Sequence, residues 1–520
     1  MENDFKDSGN NITEYLFKRI QSMHLLQKKA LIYERPDFAL ELTYEELFKH
    51  AGLFASALRQ KGLVKGDRIF VRLTNSPEVI VAFLGAIQAG VVPAMMSTHV
   101  GNGDIATFLK ETQAKMLFSV LQEDILLPDG CTHYSLANEL GTLSFGGLIG
   151  NDQSVENITI SDNEAAFITY TSGITSRPKA VLQAQHFLRS IAVLSEEIKG
   201  YATQSVISYI GDLCWSFGLY LGILLPIYNG VTMYMYYDHG GFKPAMWWQK
   251  IINNKVQTIC TTPTVLRMMG LYSEGQKGEL KNCISVGENL SFETWKLWKE
   301  KFGIFVTQSY GQAETGVIAL DSQEDINTAG KTCGIFPVIK YAVIDEEGKQ
   351  VEEGTPGNLV IAKDYPGVLL KYIIPEEKNS EVFKEDWYCT GDIVMQSEGL
   401  LLYLGHRENI LRSKGSKLSV IEIEAVYRMH EDVQEVAVVE CPDMEMGNVL
   451  KAFVKLKNDV IQNEEMSKSI QNFALQNLTH GEVPKLIEFI SEMPKTKSGK
   501  TRREALRQIE MEKFLKSQAM

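Results

Sequence analysis

Residues 170–179 read Y-T-S-G-I-T-S-R-P-K: small, hydroxylated or glycine as far as Ser176, then Arg177, Pro178 and Lys179. Small residues let successive backbone N–H groups converge on one point, hydroxyls add donors, and a lysine supplies a point charge. Such a segment suits a polyphosphate. It is not a Walker A loop, because the G-x-x-x-x-G-K-[ST] spacing is missing; the G-K-T at 499–501 has Pro494 where the first glycine belongs. Four further segments carry chemistry. Residues 308–314, Q-S-Y-G-Q-A-E, offer an aromatic face for a base, a glycine for close approach and a carboxylate for a hard cation. Residues 388–392, Y-C-T-G-D, end in an aspartate suited to two ribose hydroxyls. Residues 405–424 read G-H-R-E-N-I-L-R-S-K-G-S-K-L-S-V-I-E-I-E, and residues 494–503, P-K-T-K-S-G-K-T-R-R, form a basic loop. Each alone has an ordinary reading: a surface turn, a T-G-D β-turn, an exposed acidic helix face, a solvated basic loop. Their ordered joint occurrence is what carries weight.

These segments need elements to hold them. Residues 165–168, A-A-F-I, read as a buried strand, so the first loop leaves the carboxyl end of a strand. Residues 42–46, L-T-Y-E-E, read as a helix start with Thr43 as N-cap and Glu46 completing a capping box. A strand at 68–72, a helix from 76 to about 89, a strand at 90–95, a helix from about 104 to 114 and a strand at 115–120 then alternate. That βαβ repetition implies parallel sheet with helices on both faces. Runs at 205–209, 231–234 and 257–260 continue the style, and Gly- and Pro-broken runs from 354 to 374 predict a small β-rich subdomain. The polar residues 406–409 are the expected linker between a large α/β domain, 1–405, and a small α+β domain, 410–520. The latter should hold helices at 420–429 and 465–477 and strands at 436–440, 451–456 and 486–490.

Composition narrows the function. A chain of 520 residues exceeds one core. A net charge of −13 disfavours nucleic acid as a partner. Seven cysteines with no C-x-x-C suggest neither zinc site nor disulfide framework, and predict reduced thiols in a cytoplasmic protein. The first residues, M-E-N-D-F-K-D, do not read as a secretory signal. The most apolar run, 219–227, is too short for a bilayer and is cut by Pro226, so no membrane span is expected.

Taken in order along essentially the whole chain, these motifs make the sequence resemble the adenylate-forming superfamily of acyl-CoA synthetases, adenylation domains and firefly luciferase. Its patterns run approximately [YF]-[TS]-S-G-[ST]-T-G-x-P-K-G, Y-G-x-T-E, T-G-D, G-R-x-D-x-x-I-K-x-x-G-x-x-I-x-x-x-E-I-E and P-K-T-x-S-G-K. Residues 285–290, S-V-G-E-N-L, leading into Q-S-Y-G-Q-A-E, look most like medium-chain and aromatic acyl-CoA synthetases. The resemblance implies ATP, Mg²⁺ and coenzyme A as cofactors. Thr171, Ser172, Gly173, Thr175 and Lys179 would then hold the β- and γ-phosphates. Gly287, Glu288, Asn289, Gln308, Ser309, Tyr310, Gly311, Gln312 and Ala313 would line the nucleotide pocket, and Glu314 would ligate Mg²⁺. Asp392 would hold the ribose, with His406 and Arg407 beside it. Gly415 and Lys417 would lie near the phosphopantetheine arm, and Glu408 would be the hinge of the mobile small domain. Lys500 would bridge the substrate carboxylate and the α-phosphate, acting with Glu314 and Thr171 in catalysis. The sequence departs from the pattern at Ile174, Ser176, Ala180, Ala313 and most of all His406, where the family carries an arginine.

Residues 212–219, D-L-C-W-S-F-G-L, are expected to border the acyl pocket through Asp212, Trp215, Phe217 and Gly218, the aromatics suiting an uncharged medium-chain or aromatic acid. The implied reaction is ATP-dependent formation of an acyl-adenylate from a carboxylic acid, then transfer to a thiol, that of coenzyme A. Two other readings stand beside it. In one, Asp212 holds an ammonium and the chain loads an amino or aryl acid onto a separate carrier protein. In the other, the chain is a non-catalytic nucleotide- or acyl-binding homologue.

Overall fold

The computed structural model describes residues 11–98, 105–121, 126–137, 139–149, 158–171, 178–238, 241–288, 290–321, 332–397, 399–407, 410–413, 416–443, 447–458, 460–478, 483–495 and 501–518. Ser172, Gly173, Ile174, Thr175, Ser176, Asn289, Glu408, Gly415 and Lys500 lie outside them. The chain forms two compact units. The first holds the residues up to Thr171, Lys179–Lys340 and Ile361–Tyr388; the second holds Tyr341–Val360 and the chain from Cys389 onward.

The first unit is α/β, as the βαβ alternation implies. One sheet runs Lys371–Ile374, Lys179–Ala184, Ala165–Thr171, Val92–Met95, Arg68–Arg72, Ala114–Ser119, Thr132–Ser135. Its last five strands are parallel, and its first two are antiparallel additions. A second run orders Gly316–Leu320, Val306–Gln312, Asn282–Ser285, Thr258–Thr261, Val206–Ile210, Thr232–Tyr236 and Lys29–Arg35, parallel from 306–312 to 29–35. Helix Pro77–Gln88 is buried on nearly every side, which an amphipathic surface helix is not. Helix Tyr44–Gln60 starts at the expected capping box. Glu46 N–H donates to Thr43 Oγ1 at 3.2 Å, and Thr43 N–H to Glu46 Oε2 at 2.8 Å.

The apolar run near 219–227 is neither a surface helix nor a membrane segment. Gly218–Leu224 is a wholly buried π-helix continued by Leu225–Tyr228, and no helix of the described residues is long and apolar enough to cross a membrane.

In the second unit, residues 392–397 pair antiparallel with Leu400–His406, so the T-G-D segment at the start of that pairing is strand rather than turn. The α+β part is a three-stranded sheet of Val433–Asp443, Gly447–Leu456 and Leu486–Phe489. Strand alternation divides its faces: Val436 and Val438 pack with Ile423 and Ile470 of two helices, while Ala437 and Val439 pack with Leu506 of helix Arg503–Gln518.

Candidate functional site

Strand Ala165–Thr171 turns back into Lys179–Ala184, with Thr171 directly opposite Lys179, so the two residues form the mouth of the phosphate-type loop. Lys179 is therefore the first residue of a strand, placed by its ladder. Its ammonium stands 6.0 Å from the ring centroid of Tyr372, which comes from the neighbouring antiparallel strand Lys371–Ile374. The Tyr372 hydroxyl donates to Glu314 Oε1 at 2.6 Å. Both are buried, Tyr372 at 2% and Glu314 at 7% exposure. Burial, reinforced by the Glu314 carboxylate, pushes the Tyr372 phenol far above its ordinary value, so it stays a donor. Lys179 and Glu314 are thus brought together through Tyr372. Sequence patterns gave that tyrosine no role: it sits in the run read only as β-rich, and its partner is 58 residues away.

The backbone around Glu314 is fixed as firmly as its side chain. The Ala313 carbonyl accepts from Tyr220 Oη at 2.7 Å and Gln183 Nε2 at 2.8 Å, and the Glu314 carbonyl accepts from Leu369 N–H at 2.8 Å. Tyr220 belongs to the π-helix, two residues beyond Gly218. Upstream, Gln308 Oε1 accepts from Leu290 N–H at 3.0 Å, and Ser309 Oγ donates to the Ser285 carbonyl at 2.9 Å. A bulge follows at Tyr310 and Gly311, where any Cβ on Gly311 would collide with the Gly316 carbonyl. Gln312 Oε1 accepts from Tyr388 Oη at 3.1 Å. Gly287 adopts φ 83°, and a Cβ there would lie 4.0 Å from the Phe217 ring, so the segments around residues 287 and 217 adjoin. Glu288 Oε2 accepts from Thr264 Oγ1 at 3.2 Å.

The segment 212–219 is pinned by Asn75, which accepts from Leu213 N–H at 2.9 Å and donates to the Gly211 carbonyl at 2.6 Å. Gly218 is needed where the π-helix begins, because a Cβ would meet Leu213 Cα at 2.6 Å. Trp215 is half-buried, and Phe217 packs edge-on to Tyr220 at 6.2 Å between centroids. Asp212 Oδ1 accepts from Cys214 N–H at 2.8 Å. Burial lowers the value of the Arg72 guanidinium, and the Asp212 carboxylate partly offsets that shift.

In the second unit, Asp392 lies opposite His406 in the ladder and takes a long contact, 3.5 Å, from the Tyr403 hydroxyl. Gly391, at φ 76°, leaves the room that the His406 ring uses: a Cβ there would sit 2.8 Å from His406 Nε2. Arg407 follows and is exposed, and Lys417 lies on strand Ser416–Ser419. The last acid of the E-I-E run is not an exposed helix charge. Glu424 is 2% exposed, and Arg503 donates to it through three contacts of 2.7, 2.8 and 3.1 Å. That pairing places the arginine that closes P-K-T-K-S-G-K-T-R-R. Among the described residues no group of three His, Cys, Asp or Glu side chains could hold a metal.

The AMP-binding enzyme family model matches residues 19–373, and the AMP-binding enzyme C-terminal domain matches residues 422–500. An uncharacterized acyl–CoA ligase, YtcI, of Bacillus subtilis is 26% identical over 504 residues, covering 93% of each chain. The 4-hydroxybutyrate–CoA ligase 1 of Metallosphaera sedula is 26% identical over 523 residues, 97% of this chain and 91% of its own. The fold superposes on the anthranilate CoA ligase AuaEII in complex with anthranoyl-AMP with a TM-score of 0.83 at 22% identity, over 96% of this chain and 97% of the other.

Proposed function

This chain belongs to the AMP-binding enzyme family, and on that premise we propose that it activates a carboxylic acid with ATP to an acyl-adenylate, releasing pyrophosphate, and then passes the acyl group to coenzyme A. The observation that carries the proposal is the Lys179–Tyr372–Glu314 arrangement at the loop mouth, a lysine ammonium 6.0 Å from the ring of the tyrosine whose hydroxyl holds the carboxylate. A carboxylate is a weak nucleophile toward phosphorus already surrounded by negative oxygens, so the first step needs charge neutralisation and in-line positioning more than a strong base. Lys179 with Thr171 and the loop 172–175 would hold the terminal phosphates, Asp392 the ribose, and Lys500 the substrate carboxylate against the α-phosphate. Glu314 fits Mg²⁺, which takes one or two carboxylates plus substrate phosphates; when bound, the ion would neutralise phosphate charge. We place the domain boundary at 406–409, with Glu408 as hinge. Adenylation wants a lysine over the phosphate and thiolation wants a path for pantetheine, and a rotating small domain supplies them in turn.

Asp212 Oδ1 already accepts from Cys214 N–H, which favours acids without an α-ammonium, and so favours coenzyme A over a carrier protein for amino acids. Cys131, Cys214, Cys260, Cys283, Cys389 and Cys441 form no disulfide among the described residues, which suits a reducing cytoplasm. ATP–pyrophosphate exchange across fatty, aromatic and amino acids tests the proposal. Exchange with a fatty or aromatic acid supports it; exchange with amino acids alone favours the carrier-loading reading, and a blank across the panel favours a non-catalytic binder.

A further inference from the structure

Glu314 has two carboxylate oxygens, and only one is spoken for. Oε1 accepts the Tyr372 hydroxyl at 2.6 Å, whereas Oε2 makes no hydrogen bond with a described residue. The carboxylate cannot easily turn to present both oxygens. The carbonyl before it is held by Tyr220 and Gln183, and its own carbonyl by Leu369 N–H. Tyr372 is equally fixed. Asn379 Oδ1 accepts its N–H at 2.8 Å, Asn379 Nδ2 donates to its carbonyl at 2.9 Å, and its strand is laddered to Lys179–Ala184.

The number of oxygens a carboxylate offers matters to the ion that takes it. Ca²⁺ accepts six to eight ligands at about 2.3–2.6 Å and readily takes a carboxylate through both oxygens. Mg²⁺ demands an octahedron at about 2.0–2.1 Å and is usually held through one oxygen, with water and phosphate completing the shell. We propose that Tyr372 is a positioning residue that makes Glu314 a one-oxygen ligand and thereby sets the preference of this site for Mg²⁺ over Ca²⁺. The proposal rests on the reading that Glu314 receives the ion. It extends that reading to the residue that chooses which ion is received.

Tyr372→Phe removes one oxygen and keeps the ring beside Lys179, so the fold is retained, as a melting curve matching wild type will check. Calorimetric titration of the full-length protein with ATP in Mg²⁺ or in Ca²⁺ reads the preference without turnover. Wild type should bind ATP more tightly with Mg²⁺. In Tyr372→Phe that ratio should fall by about ten-fold, the worth of one charge-assisted hydrogen bond, mainly through tighter binding with Ca²⁺. Gln183→Met loosens the Ala313 carbonyl without touching Oε1, and should weaken binding with both ions equally. Glu314→Gln separates the two layers of the argument. If its ATP binding still depends on the ion, Glu314 is not the ligand. If Glu314→Gln loses that dependence while Tyr372→Phe keeps the wild-type ratio, Glu314 is the ligand and Tyr372 does not set the preference.

Discussion

Replacing Arg503 by methionine should loosen the second unit while leaving the first unit folded. The side chain of Glu424 is 3% exposed and receives N–H groups of Arg503 at 2.7, 2.8 and 3.1 Å. Its remaining partners are Val438 N–H at 2.9 Å and Arg428, half-exposed, at 3.9 Å. In Arg503→Met the carboxylate stays buried with one backbone hydrogen bond. Breaking a buried pair from one side costs about 3–5 kcal/mol. Arg428 can move inward to recover part of that, so the lower end applies, about 3 kcal/mol. The assay is hydrogen exchange on strand Val433–Asp443, which Glu424 anchors through Val438. Amides that open with the unit should exchange about a hundred-fold faster, at 1.4 kcal/mol per ten-fold. All six tryptophans lie before residue 388, so their fluorescence follows the first unit and should melt as in wild type. Adding Glu424→Gln to Arg503→Met removes the unpaired charge and should restore part of the protection. Unchanged exchange in the single variant, or a double variant worse than the single, would refute a buried ion pair as the anchor.

Three further outcomes are expected. Lys500→Ala should lose several orders of magnitude in pyrophosphate exchange yet still make thioester from preformed acyl-adenylate; equal loss in both half-reactions would show that the lysine serves more than the first. Gly391→Ala should displace the His406 ring, strain a residue at φ 76° and raise the KM for ATP, whereas an unchanged KM would separate this strand from nucleotide binding. For Glu488 and Glu510, burial pushes the carboxyls up, but hydrogen bonds from Lys451 and Lys513 outweigh it and hold them below 4.5. A depressed folded value means stability that is present above 4.5 and lost as pH falls through the folded value. Helix Arg503–Gln518 should therefore lose protection on acidification below 4.5, less so in Lys451→Met, and protection that rises in acid would contradict this.

What could be read from residues alone follows the range of the interactions involved. The capping box at Thr43 and Glu46 is decided within four residues, and its helix begins where the sequence places it. The parallel sheet was legible because the strand at Arg68–Arg72 and helix Pro77–Gln88 alternate within one βαβ unit. The π-helix was not, since one extra residue per turn leaves an apolar run of seven looking like any buried segment. Glu424 looked like an exposed helix charge because Arg503 lies 79 residues on. Tyr372 escapes sequence patterns for the same reason, its partner being 58 residues away. Motif spacing points to Glu314, but not to the tyrosine that orients it, because packing of distant strands brings the two together.

The central claim is that oxygen of the substrate acid bonds to the α-phosphorus of ATP. It is tested most directly by supplying a carboxylic acid labelled with ¹⁸O in the carboxyl group and analysing the nucleotide product by mass spectrometry. Attack through an acyl-adenylate, followed by transfer to coenzyme A, predicts AMP carrying one ¹⁸O and unlabelled pyrophosphate. Label in inorganic phosphate, or ADP as the nucleotide product, would contradict the account.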